Sequence, residues 1–317
     1  MSEASIFQLG RGERWAVLSA FAYTIVNITL RVAAPSIDAT LGALLRLLPL
    51  MVVAWAIVLR SGAHEYRPRD PGFFTWRLIG INLGAGVISF VVGNILYFQA
   101  LTHGGLGITI GGVQGGSVLG GILLGIVLLR EWPTRGQAAG AALIVAGLVS
   151  IAIARTSSVD ALWWLGLLFA GAAGTTYALA NVASRYVQSR RPLIFVVLSG
   201  STLGGAIPLL TIVIARVAGG ETLAIDGPAL LAVLAAGCAN AVALAALALA
   251  LRHAPIASVN TINSSSIVFS FIASVFVFGE SGSAPMVLGI VLVTIGIVVA
   301  QVRRRAPAAP AAPAKAG

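Results

Sequence analysis

Charge is what this chain has least of. Only 9% of its 317 residues are Asp, Glu, Lys or Arg, against about 25% in an ordinary soluble globule, and that excludes a water-facing shell around a single core. Cysteine is scarcer still. Cys238 stands alone inside an apolar block, which rules out an intramolecular disulfide and a thiolate metal cluster, and it reads as a small buried hydrophobe. The ten acidic residues all fall outside the apolar runs, so a carboxylate that trades a proton for a substrate at membrane depth has no candidate. His103 and His253 stand at helix ends, and no histidine cluster, carboxylate pair or metal-spaced ligand set is present. A membrane-embedded enzyme on a lipid-linked substrate would need one of these at the membrane surface. The expectation is therefore no enzyme, no cofactor and no metal.

What is present is hydrophobic: 58% of the residues, with a mean hydropathy of +0.97. A bilayer-crossing helix needs about 20 such residues. Ten spans can be drawn, at 15–33, 39–59, 77–101, 105–129, 136–154, 161–184, 193–215, 228–251, 256–279 and 285–302. The polar first 14 residues lead into a run carrying Asn27 and Arg31 with no small-residue cleavage site, which reads as a retained helix and not a signal peptide. The longest connection, 61–76, contains Pro68 and Pro71 and reads as solvated, and the Ala/Pro tail 303–317 reads as disordered.

The net charge of +10 would suggest nucleic acid in a soluble protein. Its placement says otherwise. With both termini in the cytoplasm, sixteen Arg and Lys residues fall on the inner side and three, Arg31, Arg155 and Arg216, on the outer, as the positive-inside rule requires. Arg46 alone lies within a span. Topology accounts for the basic charge, and the expected partners are the bilayer and a small-molecule substrate; the sequence leaves the oligomeric state open, a monomer included.

The chain also repeats itself. Tyr23, Asn27 and Arg31 are spaced four apart, and so are Tyr177, Asn181 and Arg185. Ala100-Leu101 leads through a glycine-rich block to Arg130-Glu131 and then Gly140 and Gly147; Ala250-Leu251 leads to Gly279-Glu280 and then Gly289 and Gly296. Five spans per copy is an odd number, so the second copy enters the membrane from the opposite side. The expected fold is an all-α integral membrane protein of ten transmembrane helices in two inverted five-helix repeats, 15–154 and 161–302, flanked by a cytoplasmic N-terminus, 1–14, and the tail. Inverted repeats underlie alternating access in many secondary transporters.

These two motif copies resemble the drug/metabolite transporter superfamily, specifically its ten-helix EamA-type members, over nearly the whole chain. The resemblance implies a bacterial inner-membrane permease, often an exporter of amino acids or other small metabolites, with a cavity between its halves. Many members carry a proline in the middle of helix 4, where this chain has Gly115-Gly116-Ser117.

Polar side chains at membrane depth are costly and usually face a cavity or another helix. Tyr23 with Asn27, and Tyr177 with Asn181, share one helix face in each copy and offer neutral hydrogen bonds to a substrate or, equally, to a neighbouring helix. Gln114 with Ser117 corresponds to Asn263 with Ser266, and Asn260 extends that strip. Asn240 lies mid-span without a local partner, and Asn94 with Tyr97 forms a candidate outer gate. Arg46 has no counterpart in helix 7, where Ser199 and Gly200 fall. A guanidinium there either receives a carboxylate or phosphate bidentately or snorkels to the surface. Glu131 and Glu280 are expected to stabilise turns. The glycine ladders Gly107, Gly111, Gly115 and Gly112, Gly116, Gly120 point to close helix packing. The function expected is secondary transport of a small polar metabolite, an amino acid above all, by rocking of the two halves; a sensor or membrane-embedded enzyme is the alternative.

Overall fold

A computed structural model of the chain describes residues 10–70, 72–129, 132–155, 162–188, 194–253, 259, 262–280 and 282–301. Asn260 and Glu131, the side chain of Arg185, and the tail lie outside the described residues. Ten named α-helices follow in order: α1 (Arg11–Ala33), α2 (Ala39–Arg60), α3 (Trp76–Gly86), α4 (Asn94–Leu129), α5 (Arg135–Arg155), α6 (Trp163–Gln188), α7 (Ile194–Ala218), α8 (Gly227–His253), α9 (Ser265–Phe276) and α10 (Ala284–Gln301).

Their starts are chemically marked. Asp38 accepts the Thr40 and Leu41 N–H groups at 2.9 and 3.1 Å. Thr134 and Gln137 bond reciprocally ahead of α5, and Asp226 takes the Ala229 N–H at 2.7 Å ahead of α8. Each satisfies amides that the first turn leaves without partners.

Among the described residues six helical stretches are long and apolar enough to cross a membrane, and three shorter apolar helices accompany them. One of the six, Trp76–Val127, has 52 residues and would be about 78 Å long if straight, far beyond a bilayer core. Two devices bend it. Val87–Gly93 winds as a π-helix between α3 and α4, and within α4 Gly105 adopts φ 71°, ψ −176°, a conformation that only glycine takes without strain.

That break leaves carbonyls above it and amides below it without helical partners. Arg31 Nη1 donates to the Leu101 carbonyl at 3.1 Å, while the Glu280 carboxylate accepts the Leu106 and Gly107 N–H groups at 2.7 and 3.0 Å. The two side chains pair at 3.2 Å. Cation at a C-terminal end and anion at an N-terminal end is also the arrangement that the helix dipole favours.

The main helix contacts run between the repeats: α4 on α6, α5 on α10, α1 on α8, and α2 on α7. Glycine allows them. A Cβ on Gly140 would fall 2.5 Å from the Gly296 carbonyl and one on Gly296 2.7 Å from the Gly140 carbonyl; Gly147 and Gly289 oppose each other in the same way at 2.7 Å. Such reciprocity is what a two-fold relation between surfaces produces. In α4 both glycine ladders are used, Gly116 against the Gly171 backbone and Gly115 against Ile144.

Large apolar side chains ring the outside, for example Phe21 and Ile25 on α1, Val145, Val149 and Ile153 on α5, and Leu288, Val291 and Ile295 on α10. Spacings of three and four put each set on one helix face, as a lipid-facing surface requires. Cys238 is exposed on α8, contrary to the buried position its apolar neighbours suggested, because lipid and protein interior make the same demand on an apolar helix.

The connection 61–76 also differs from the solvated loop expected. Phe74 is buried, Tyr66 stacks on Trp55 with centroids 5.3 Å apart, and the Tyr66 hydroxyl donates to the Val196 carbonyl at 2.7 Å. The loop is docked on α7. Within it, Asp70 is held below its ordinary carboxylate range by its 2.6 Å hydrogen bond with His64 and by the Gly72 N–H.

Candidate functional site

A cavity of about 210 Å³ opens where α1, α2, the α3–α4 segment, α6, α7 and α8 converge. Six side chains expected from the sequence are brought together on its wall: Tyr23, Arg46, Asn94, Tyr177, Asn181 and Asn240. Asn94 and Asn240 are buried, Tyr23, Arg46 and Tyr177 half-buried, and Asn181 exposed, so the cavity meets the surface beside Asn181.

The head of the cavity is built around one amide. Asn94 Oδ1 accepts the Tyr177 hydroxyl at 2.9 Å and Arg46 Nη1 at 3.3 Å. Arg46 lies over the Tyr97 ring at 5.5 Å, a cation–π contact. Among the described residues no ion pair includes Arg46.

Behind this group lies a second polar layer. The Tyr97 hydroxyl donates to Asn27 Oδ1 at 2.8 Å, and Asn27 Nδ2 donates to Ser270 Oγ at 3.0 Å. Asn27 and Tyr97 therefore tie α1, α4 and α9 together and do not line the cavity. Asn263 accepts the Ser19 hydroxyl at 3.1 Å, another helix tie, and Ser266 is buried in α9. Gln114 is half-buried and Ser117 packs its backbone against Gly174; neither reaches the cavity.

Further out on the same side, Arg216 Nη1 reaches both Asp38 oxygens at 3.0 Å and its Nε reaches Glu221 at 2.7 Å. The Asp38 N–H donates to the Ala224 carbonyl at 2.8 Å. These contacts stitch the start of α2 to the end of α7 and the connection that follows it.

Sequence reasoning missed the other contributors to the wall, three serines among them. Ser89 and Phe90 enter the wall from the π-helix, and Ser184 and Ser201 from α6 and α7. A π-turn inside an α-helix often marks a functional site, but VISFVVG carries no local signal of one. Beside the cavity, the Asn82 amide is buried and without a hydrogen-bond partner among the described residues, packed against Gly200. The Tyr66 hydroxyl lies 2.9 Å from Ser199 Oγ, and burial pushes that phenol above its ordinary range while the hydrogen bond opposes the shift.

A polar cavity shared by two repeats in an apolar bundle is a place for a ligand to pass or bind. The model of the EamA-like transporter family matches residues 10–153 and again 164–301. The chain belongs to the EamA-like transporter family. It is thus a multi-pass membrane protein of the drug/metabolite transporter superfamily, whose EamA-like members are transporters rather than enzymes. A solved structure titled only "Crystal structure of protein" shares its fold, at 21% sequence identity and a TM-score of 0.60 over 90% of this chain and 96% of that one. A comparison with curated proteins finds no match.

Proposed function

We propose that this EamA-like protein is a secondary transporter, an exporter or facilitator of small polar metabolites such as amino acids and related compounds. It works by alternating access of two inverted five-helix halves around a midplane cavity. The ten spans are those drawn from the sequence, with α3 and the first part of α4 forming one crossing and the rest of α4 the next. Both termini lie in the cytoplasm of a bacterial inner membrane.

The observation that carries this reading is the cavity's composition. Three helical segments of each repeat line it, and each repeat supplies a tyrosine and an asparagine. Its volume is below the roughly 300–1,000 Å³ of pockets for drug-sized ligands, which suits a small metabolite. Access favours one side. In the proposed orientation the Asn181 mouth faces the cytoplasm, while the Asn94–Tyr177–Arg46 group, the Asn27–Tyr97–Ser270 layer and the Asp38–Arg216 pair close the outer side. Alternation requires the outer ion pairs to part as the mouth closes.

Because the principal contacts cross between repeats, the surfaces that move are inter-repeat seams. The close glycine contacts of α4 on α6 and α5 on α10 are suited to small sliding motions, the shear that packed helices allow.

The test is counterflow into proteoliposomes loaded with amino acids and other small metabolites, with and without a pH gradient. Saturable uptake of a labelled compound, insensitive to the gradient, is the expected result. Folded protein that accelerates uptake of no compound would overturn the reading.

A further inference from the structure

Arg46 is a fixed cation where charge is costly, and among the described residues no acid pairs with it. It is half-buried on the cavity wall, and among the described residues no Asp or Glu lines that cavity. A guanidinium carries five N–H donors in a planar fork. Among the described contacts one donor goes to Asn94 at 3.3 Å, the Tyr177 hydroxyl also hydrogen-bonds the guanidinium, and one face rests on Tyr97, which leaves further N–H donors of the fork for a ligand. By contrast, Arg31 and Arg216, the arginines with described ion pairs, have Glu280, and Asp38 with Glu221. At the positions of the second repeat that answer to Arg46, Ser199 and Gly200 add neither a second cation nor an acid.

Resting on the transporter reading, we infer that the substrate carries a carboxylate, held by the Arg46 fork, and bears no net positive charge. The substrate itself supplies the missing counterion, an arrangement in which planar bidentate geometry favours carboxylate. The amide of Asn240 on the wall accepts an amino or hydroxyl group of the same molecule, so zwitterions enter with anions. Phe90 and Leu244 receive an apolar side chain. Amines and amino-acid amides, which keep the cation and lose the carboxylate, are refused because the cavity has no acid to meet them.

The experiment uses the unaltered protein in nanodiscs and follows thermal unfolding with L-leucine, L-threonine, lactate and 3-phenylpropionate, each against its own carboxamide at millimolar concentration. At least one acid raises the Tm while its carboxamide does not. Arg46→Gln removes that gain, and Arg46→Lys, which keeps the charge and loses the fork, binds the acid about tenfold more weakly. An amide as effective as its acid overturns the inference. So does an acid that still stabilises Arg46→Gln, or a panel in which no acid stabilises. Should Arg46→Gln not fold, the acid–amide comparison on the unaltered protein decides.

Counterflow on the same preparations separates the two readings. Acid binding without uptake sinks the transporter and keeps the site. Uptake of an amine or amide without acid binding sinks the site and keeps the transporter.

Discussion

α2 and α7 occupy equivalent places in the two repeats, each carries one proline inside the helix, Pro49 and Pro208, and they pack on each other. Only α2 brings a charge into the cavity. At the matching stretch α7 offers Ser199, which meets Tyr66, and Gly200, which lies against Asn82. The seam of α5 and α10 is different in kind, because its glycines oppose each other reciprocally and neither helix is distinguished. On the proposed rocking cycle a duplicated scaffold gains from symmetry, since the two end states can then be built from the same contacts. A small substrate has no such symmetry, so the group that recognises its charge has to stand on one side.

The symmetric part should fail symmetrically, and most severely. Gly147→Leu and Gly289→Leu each drive a side chain into backbone that cannot yield. Overpacking of this kind costs about 1–3 kcal/mol or more, and we expect both variants to lose monodisperse protein to the same degree on size-exclusion chromatography. A marked difference between them would break the two-fold account of that seam.

The Gly105 break comes next. Glu280→Gln removes the ion pair with Arg31 and weakens the acceptor for two amides. Hydrogen bonds to charged groups contribute about 1.5–3 kcal/mol each, so a clear fall in Tm is expected. Arg31→Gln should fall similarly, and the double variant by less than the sum of the two.

Ser201→Asp probes the contrast between α2 and α7 directly. It adds to the α7 wall the acid that Arg46 lacks, and the Tm gain from a bound carboxylate should need about tenfold more ligand. An undiminished response to carboxylate would mean that the cavity's net charge does not select the substrate.

The smallest effect belongs to Tyr66→Phe. It loses the bonds to Val196 and Ser199, each of about 0.5–1.5 kcal/mol by the usual worth of a neutral hydrogen bond, while Ser199 keeps its own bond to the Val196 carbonyl. Differential scanning fluorimetry should show a modest shift, with the acid–amide preference intact, because Tyr66 supports α7 and not the charge.

Much of this was legible in the sequence because it is periodic or duplicated. The apolar runs, Tyr23 and Tyr177, Asn181, and the glycines seven apart needed only spacing to be noticed. Glu280 could be placed at a turn by its repeat, although its grip on the far side of the Gly105 break depends on contacts remote in sequence. Asn27 shows the limit more sharply: an amide at membrane depth must find a partner, and sequence cannot say whether that partner is a ligand or, as here, Ser270 and Tyr97. Ser89 and Phe90 were hidden because a π-turn shifts helix phase without a residue signature, and Tyr66 because a polar loop can dock as well as dangle.

The most direct measurement is competition for counterflow uptake by a matched acid and carboxamide, in the unaltered protein and in Arg46→Gln. The account predicts that the acid competes about tenfold or more better than the amide, and that this ratio collapses to about one when the guanidinium is gone. A ratio near one in the unaltered protein, or one that survives Arg46→Gln, would contradict it.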